Sequence, residues 1–252
     1  RSGLFDEVYV QPAAGDDGAA LGASLHRASL KGEVVNKRFP VPFLGPSHSS
    51  SEIDAALEAF AGAVKVTRFR NLAETCDHAA KMIHEGKVIA WHRGRMEYGP
   101  RALGNRSILA DPSNSEMRDR VNAMVKKREA FRPFAPAVSI EQVHRWFDVP
   151  AMTSLPYMIA TVDVRQEYRA TLPAITHVDG SARVQTVTAD DNPAFHVLLK
   201  AIGRTTGREI VLNTSFNVKG QPIVNTPHEA IVTFLSTGIN CLFIEDNLVS
   251  RV

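Results

Sequence analysis

Positive charge is concentrated in one stretch of this 252-residue chain, residues 91–132. The stretch holds ten arginine and lysine residues against five acidic ones, whereas the whole chain carries a formal net charge of only +2. Its cations are interspersed with Gly94, Gly99, Pro100 and Gly104, residue types that favour turns and, for glycine, close backbone approach. A solvated helix face needs neither glycine nor proline. The stretch therefore predicts a pocket for an anion that bears several negatively charged oxygens.

The remaining composition is that of an ordinary globular protein. Apolar residues make up 44% and charged residues 22% of the chain, enough for the core of an α/β domain. Cys76 and Cys241 form neither a disulfide framework nor a metal-ligand spacing, so we expect buried, unreactive thiols and a cytoplasmic location. No apolar run approaches the ~20 residues of a membrane span, and we expect no membrane partner. The chain begins at Arg1, which predicts a piece of a longer protein.

The first 50 residues differ from those that follow. Residues 4–10 are rich in branched and aromatic side chains and predict a short strand, followed by a turn over 12–18. Residues 19–30 predict a helix of small residues that packs closely against a neighbour. Residues 36–50 carry prolines and serines without a period and predict a linker.

Helical and strand patterns alternate from residue 71 onward, which predicts an open α/β sheet with helices on both faces. A further helix is predicted just before them, from a cap at Ser51 to about residue 63. Three other predicted helices cover residues 71–85, 192–203 and 226–238. A fourth begins at a capping box over residues 113–116 and ends at about residue 125. The predicted strands cover residues 87–91, 157–164, 184–188, 209–213 and 241–244.

Two candidate anion sites lie in the basic stretch. In the first, Arg101, Asn105 and Arg106 follow the turn at Gly99, and guanidinium groups bind phosphate through two parallel hydrogen bonds. The alternative is a rigid turn with surface arginines. The second runs from Lys126 to Phe134, where phenylalanines and prolines indicate a segment anchored in the core. The alternative there is a basic helix end that complements the helix dipole.

A third candidate site lies where a predicted strand ends. Ser215 and Asn217 are two residues apart, so their side chains can point the same way, and ligands of open α/β sheets bind at carboxyl ends of strands. The alternative is a simple turn. Arg183 precedes an apolar strand, and an arginine in that position needs an anionic partner, either a protein carboxylate or a ligand.

Four runs of sequence stand out together: GRMEYGPRALGNRSILADP, VKKREAFRPFAP, SARVQTV and LNTSFNVKGQPIVNTP. They resemble the C-terminal half of bacterial O-carbamoyltransferases of the nodulation-protein type. The resemblance covers essentially the whole chain.

This resemblance implies both a fold and an activity. Residues 1–45 would be the C-terminal remnant of an actin/hexokinase-like carbamoyl-transfer domain plus a linker, and residues 46–252 a YrdC-like domain with an open twisted sheet and helices. The YrdC-like domain of the family is expected to combine carbamoyl phosphate with ATP, giving carbamoyl-adenylate and pyrophosphate. The transfer domain of the full-length protein is expected to pass the carbamoyl group to a hydroxyl of a sugar or an antibiotic.

The resemblance also implies roles for individual residues. A Lys-x-Arg motif falls on Lys126 and Arg128, and a Ser-x-Asn motif falls on Ser215 and Asn217. Lys126, Arg132 and Arg101 are then the expected catalytic cations. The residues expected to bind the substrate or the nucleotide are Arg128, Arg183, Ser215, Asn217, Asn105 and Arg106.

Two metals are implied as well. Mg²⁺ is expected to accompany ATP, since the sequence shows no dedicated carboxylate cage. Asp16, in the run Gly15–Ala19, resembles a ligand of an active-site metal in the transfer domain, with iron as one candidate. The family's His-x-x-x-His pair occurs nowhere in this chain, so the transfer half is incomplete within it.

Two other functions compete with this interpretation. One is a basic module that binds RNA. The small net charge and the apolar surroundings of the phenylalanines near the cations argue against it. The other is a domain that binds a nucleotide or carbamoyl phosphate without turnover. A steep loss of RNA affinity as the salt concentration rises would identify the RNA-binding module. Ligand binding without release of pyrophosphate would identify the domain that binds without turnover.

Overall fold

The computed structural model describes residues 4, 9–33, 41–127 and 133–252. Within these residues the chain forms seven α-helices and ten strands. The helices are α1 (Ala19–Leu30), α2 (Ser50–Ala59), α3 (Leu72–His84), α4 (Met117–Val121), α5 (Val143–Trp146), α6 (Pro193–Thr206) and α7 (Pro227–Leu235). The strands are β1 (Val64–Arg68), β2 (Ile89–His92), β3 (Arg106–Ala110), β4 (Ala135–Ser139), β5 (Thr161–Asp163), β6 (Ser181–Arg183), β7 (Gln185–Val187), β8 (Ile210–Ser215), β9 (Cys241–Ile244) and β10 (Asn247–Arg251).

Eight strands form one mixed sheet in the order β1-β10-β9-β2-β3-β8-β4-β7, and β5 pairs with β6 separately. Side chains of β2 alternate between two hydrophobic clusters, with Ala90 in one and Ile89 and Trp91 in the other. Helices α2 and α7 contribute to the first cluster, and α3 and α6 to the second. The predicted open α/β sheet with both faces covered is therefore confirmed.

Strand direction decides which ends of the strands meet. Strands β2 and β9 are parallel, and β3 and β10 each lie antiparallel between two strands of that direction. Strands β1, β9, β2 and β8 consequently all run the same way. Their carboxyl ends, at Arg68, Ile244, His92 and Ser215, lie along one edge of the sheet. In open α/β sheets this is the edge where ligands bind.

The helix predictions are confirmed where a local cap supports them. Helix α3 begins after Asn71, whose side chain accepts a hydrogen bond from the Glu74 amide, and α7 begins with the predicted capping box at Thr226. Helix α2 begins after Ser49 and not at Ser51. Helix α6 continues past Gly203 to Thr206 and ends at Gly207, whose φ of 73° is the left-handed conformation that glycine adopts readily.

The capping box predicted at residues 113–116 does not form. The Ser113 amide donates to Asp111 and the Glu116 amide donates to Asn114, so these side chains build local turns instead. Only the short α4 follows, and it passes into a π-helical turn over Asn122–Lys126.

The sequence pattern does not predict β1, β3, β4, β6 and β10. Strand β3 lies inside the basic stretch, where the apolar run 108–110 pairs with both β2 and β8. The strand predicted over 157–164 forms only as β5, and the one predicted over 184–188 is β7. Residues 5–8 of the strand predicted over 4–10 lie outside the described residues, and Tyr9 and Val10 belong to no strand.

Helix α1 forms as predicted. None of its residues is buried within this chain, so its close packing against a neighbour stays a prediction. The described part of the predicted linker is hydrogen-bonded to the basic stretch: the Gly45 amide donates to Met96 O at 2.9 Å and the Met96 amide to Pro46 O at 2.9 Å. The division of the chain at residue 45 stays a prediction. Among the helices of the described ranges, none is long and apolar enough to cross a bilayer.

Candidate functional site

A buried carboxylate organises the loop between β2 and β3. Glu97 is 4% exposed, and its Oε1 accepts hydrogen bonds from the amides of Leu103 at 2.8 Å, Asn105 at 2.7 Å and Arg106 at 3.1 Å. A buried irregular segment must satisfy its backbone amides outside a helix or sheet ladder. Glu97 supplies that acceptor for three amides at once and so fixes the path of the loop.

Arg106 stabilises the same loop from its carbonyl side. Its side chain is fully buried, and Nη1 donates to the carbonyls of Arg93 at 3.2 Å, Gly94 at 3.1 Å and Asn105 at 2.9 Å. Burial lowers the pKa of Arg106 to about 10, and the nearby Glu97 carboxylate opposes that lowering. The guanidinium is thus engaged by backbone carbonyls, and the structure does not bring this predicted ligand-binding residue to the pocket described below.

Asn105, another predicted binding residue, also lies inside the loop. Its Nδ2 donates to Arg95 O at 2.7 Å, and its Oδ1 accepts from Asn192 Nδ2 at 2.8 Å. The neighbouring Gly104 has a φ of 108°, and a Cβ there would lie 2.2 Å from the ring of Phe195 on α6. Asn105 and Gly104 therefore hold the loop against α6.

The tip of the loop forms one wall of a pocket at the carboxyl edge of the sheet. The cavity has a volume of about 80 Å³. Three of the predicted site residues, Arg101, Arg183 and Ser215, line it together. The other lining residues are Pro100, Ala102, Pro133, Phe134, Ala135, Met158, Asn213 and Thr214.

Lys126 joins two of the predicted motifs. The side chain is 7% exposed, and Nζ donates to Ser215 Oγ at 3.0 Å and to Asn217 Oδ1 at 2.6 Å. Nζ also lies 2.5 Å from Ser215 O and 3.2 Å from Asn217 O. Ser215 Oγ donates in turn to Asn217 Oδ1 at 2.8 Å. Residues separated by about 90 positions in the sequence thus form one polar cluster, the Lys126 cluster, beside the pocket.

Three predicted site residues remain. Arg128 and Arg132 lie outside the described residues. Asp16 begins a short 3₁₀ turn, Asp16–Gly18, at the surface. No group of three metal-ligating side chains occurs in the described part of the chain, so a role for Asp16 in metal binding stays a prediction.

The sequence reasoning missed three buried polar residues around the loop. Besides Glu97, these are Gln185, whose Nε2 donates to Leu103 O at 2.8 Å, and Asn213, whose Nδ2 donates to Ala102 O at 3.3 Å. Gln185 and Asn213 could have been found as polar residues within apolar strands, and Glu97 as an acid within the basic stretch. Together they hold the residues that follow Arg101 in the loop.

The family model named Carbamoyltransferase C-terminus matches residues 80–251, which include the loop, the pocket and the Lys126 cluster. The chain belongs to this carbamoyltransferase family. It is 45% identical over 253 residues to nodulation protein NolO of Bradyrhizobium diazoefficiens, covering 99% of this chain and 46% of that protein. It is 34% identical over 250 residues to the 3'-hydroxymethylcephem-O-carbamoyltransferase of Amycolatopsis lactamdurans, covering 99% and 45% respectively.

This member of the family spans less than half the length of both relatives. Among solved structures, it is similar to full-length HypF in a phosphate- and nucleotide-bound form, with a TM-score of 0.48 and 18% identity over 75% of this chain and 22% of that one. It is also similar to Sua5 of P. abyssi, with a TM-score of 0.47 and 14% identity over 71% of this chain and 56% of that one.

Proposed function

We propose that this chain is the activating part of an O-carbamoyltransferase, a YrdC-like domain that converts carbamoyl phosphate and ATP to carbamoyl-adenylate. One observation carries the proposal: the Lys126 cluster adjoins a pocket lined by Arg101 and Arg183, at the carboxyl edge of the sheet. Membership of the carbamoyltransferase family supports it. The balanced reaction consumes one water and releases pyrophosphate and inorganic phosphate.

The chemistry of the pocket suits two phosphate-bearing substrates. Bringing carbamoyl phosphate next to ATP requires that their mutual repulsion be neutralised, and catalysis of this kind is mainly positioning and electrostatic stabilisation. Two guanidinium groups supply planar pairs of donors for phosphate oxygens. The ammonium of Lys126 holds the Ser215 and Asn217 side chains at the same edge.

The size and charge of the pocket limit what it holds. Its volume of about 80 Å³ is several times the ~10–15 Å³ that one water needs but well below the ~300–1,000 Å³ of sites for larger ligands. It therefore suits a carbamoyl or phosphate group, with the rest of the nucleotide extending along the sheet edge. None of the described residues that line it is acidic, so Mg²⁺ would arrive bound to ATP.

The second half of the reaction would belong to the longer protein. We expect a sugar or antibiotic hydroxyl to accept the carbamoyl group there, in a transfer domain that holds its own metal. Asp16 would contribute to that domain.

The test is exchange of labelled pyrophosphate into ATP that depends on carbamoyl phosphate. Arg101→Ala should reduce the exchange at least tenfold, because it removes a charge-assisted phosphate contact. Arg118→Ala is the matched control, since Arg118 belongs to the same basic stretch but lies on α4, beside Asp119, and does not line the pocket. A folded wild-type chain that binds ATP without any exchange would refute the proposal and favour nucleotide binding without turnover.

A further inference from the structure

Asn213, on β8, presents an unusual buried acceptor at the pocket. The residue is 1% exposed and lines the cavity together with Arg101 and Arg183. Its Oδ1 is buried and has no hydrogen-bond partner among the described residues. Buried polar atoms in folded proteins are almost always paired, so an orphan at a ligand pocket indicates a partner that a ligand supplies.

The orientation of this amide is fixed by its neighbours. Asn213 Nδ2 donates to Ala102 O at 3.3 Å and to Gln185 Oε1 at 2.9 Å. Gln185 is itself oriented, because its Nε2 donates to Leu103 O at 2.8 Å. Flipping the Asn213 amide would place its oxygen against two acceptors. The unpaired atom is therefore an acceptor, and only a donor can satisfy it.

We propose that Asn213 Oδ1 accepts a hydrogen bond from the amino group of the carbamoyl moiety, which makes Asn213 the residue that selects carbamoyl phosphate. This inference rests on the proposed function. Carbamoyl phosphate and acetyl phosphate differ only in an amino group in place of a methyl group of similar size. The arginines of the pocket can bind the phosphate of either compound. An acceptor that cannot rotate away distinguishes them, because a methyl group leaves it unpaired.

The experiment compares binding of carbamoyl phosphate and of acetyl phosphate by calorimetry. The wild-type chain should bind carbamoyl phosphate at least tenfold more tightly. Asn213→Leu has a similar shape but no acceptor, and it should bring the two affinities within about twofold of each other. Arg101→Ala is the matched control, because it should weaken both ligands and leave their ratio unchanged.

Each alternative outcome is informative. Equal wild-type affinities for the two ligands would overturn the selection by Asn213 while leaving the proposed function intact. A folded Asn213→Leu chain that keeps the wild-type ratio would also overturn it. Should Asn213→Leu fail to fold, Gln185→Leu releases the amide and should lower the ratio, and the wild-type comparison needs no variant. Binding of neither ligand by the wild-type chain would overturn both proposals.

Discussion

Removal of the Glu97 carboxylate should destabilise the chain more than removal of any surface acid. Three backbone amides donate to Oε1 at 2.7–3.1 Å, and a hydrogen bond to a charged group contributes ~1.5–3 kcal/mol. Water and relaxation of the loop offset part of the combined free energy of the three hydrogen bonds. We expect Glu97→Ala to lower the free energy of unfolding by about 3–5 kcal/mol, the range for breaking a buried charged network. Glu97→Gln keeps one acceptor oxygen and should cost about 1–2 kcal/mol.

Urea unfolding at pH 7 measures these differences as shifts of the midpoint at unchanged slope, and 3–5 kcal/mol corresponds to about 1–2 M urea. Glu116→Ala is the control, because Glu116 lies in the same basic stretch but is exposed and should stay within ~0.5 kcal/mol of the wild type. If Glu97→Ala and Glu116→Ala unfold at the same midpoint, the carboxylate does not organise the loop and the reasoning fails.

Two further predictions follow from buried titratable groups. Burial, together with the Arg106 guanidinium, lowers the pKa of His92 to about 3, below the ~6.5 of an unfolded chain, so protonation opposes folding. The contribution of neutral His92 to the free energy of unfolding should be fully present above about pH 6.5 and should fall as the pH drops toward 3, by up to about 1.4 kcal/mol per pH unit. Urea midpoints measured at pH 7, 6 and 5 should therefore fall less for His92→Gln than for the wild type. An identical fall in the two proteins would contradict the assignment. Burial also raises the pKa values of Cys76 and Cys241 to about 12, so iodoacetamide at pH 8 should alkylate the urea-unfolded chain and spare the native one. Mass spectrometry that finds either thiol rapidly modified in the native chain would show that it is accessible.

Local signals in the sequence predicted the helices well. The caps at Asn71 and Thr226 involve residues only three positions apart, so no distant part of the chain is needed to form them. The same logic failed at residues 113–116, where Asp111 offered the Ser113 amide a closer acceptor. The strand periodicity also missed β1 and β10. Among the described strands, β1 lies at one end of the sheet and pairs only with the distant β10, and β10 pairs with both β1 and β9.

The composition of the candidate site was visible in the sequence, but its arrangement was not. The charge of the basic stretch and the resemblance of four runs to one family predicted a cationic site built from Lys126, Ser215 and Asn217, and the structure brings these three together. The sequence assigned no role to Glu97, Gln185 or Asn213, because the role of a buried polar residue depends on which distant groups it faces. The residues that bring Arg101 to the pocket were therefore not predicted.

The sequence by itself determined that cations, glycines and an Asn/Ser strand end would be present, and the tertiary structure alone decided which cations could meet a ligand. Arg101 and Arg106 are five residues apart and carry the same group. Arg101 lines the pocket, whereas Arg106 is enclosed by carbonyls, one of them from Asn225, 119 positions away. A guanidinium is chemically the same in both places. Its function follows from whether backbone oxygens or an open pocket surround it, and only the folded chain brings those oxygens together.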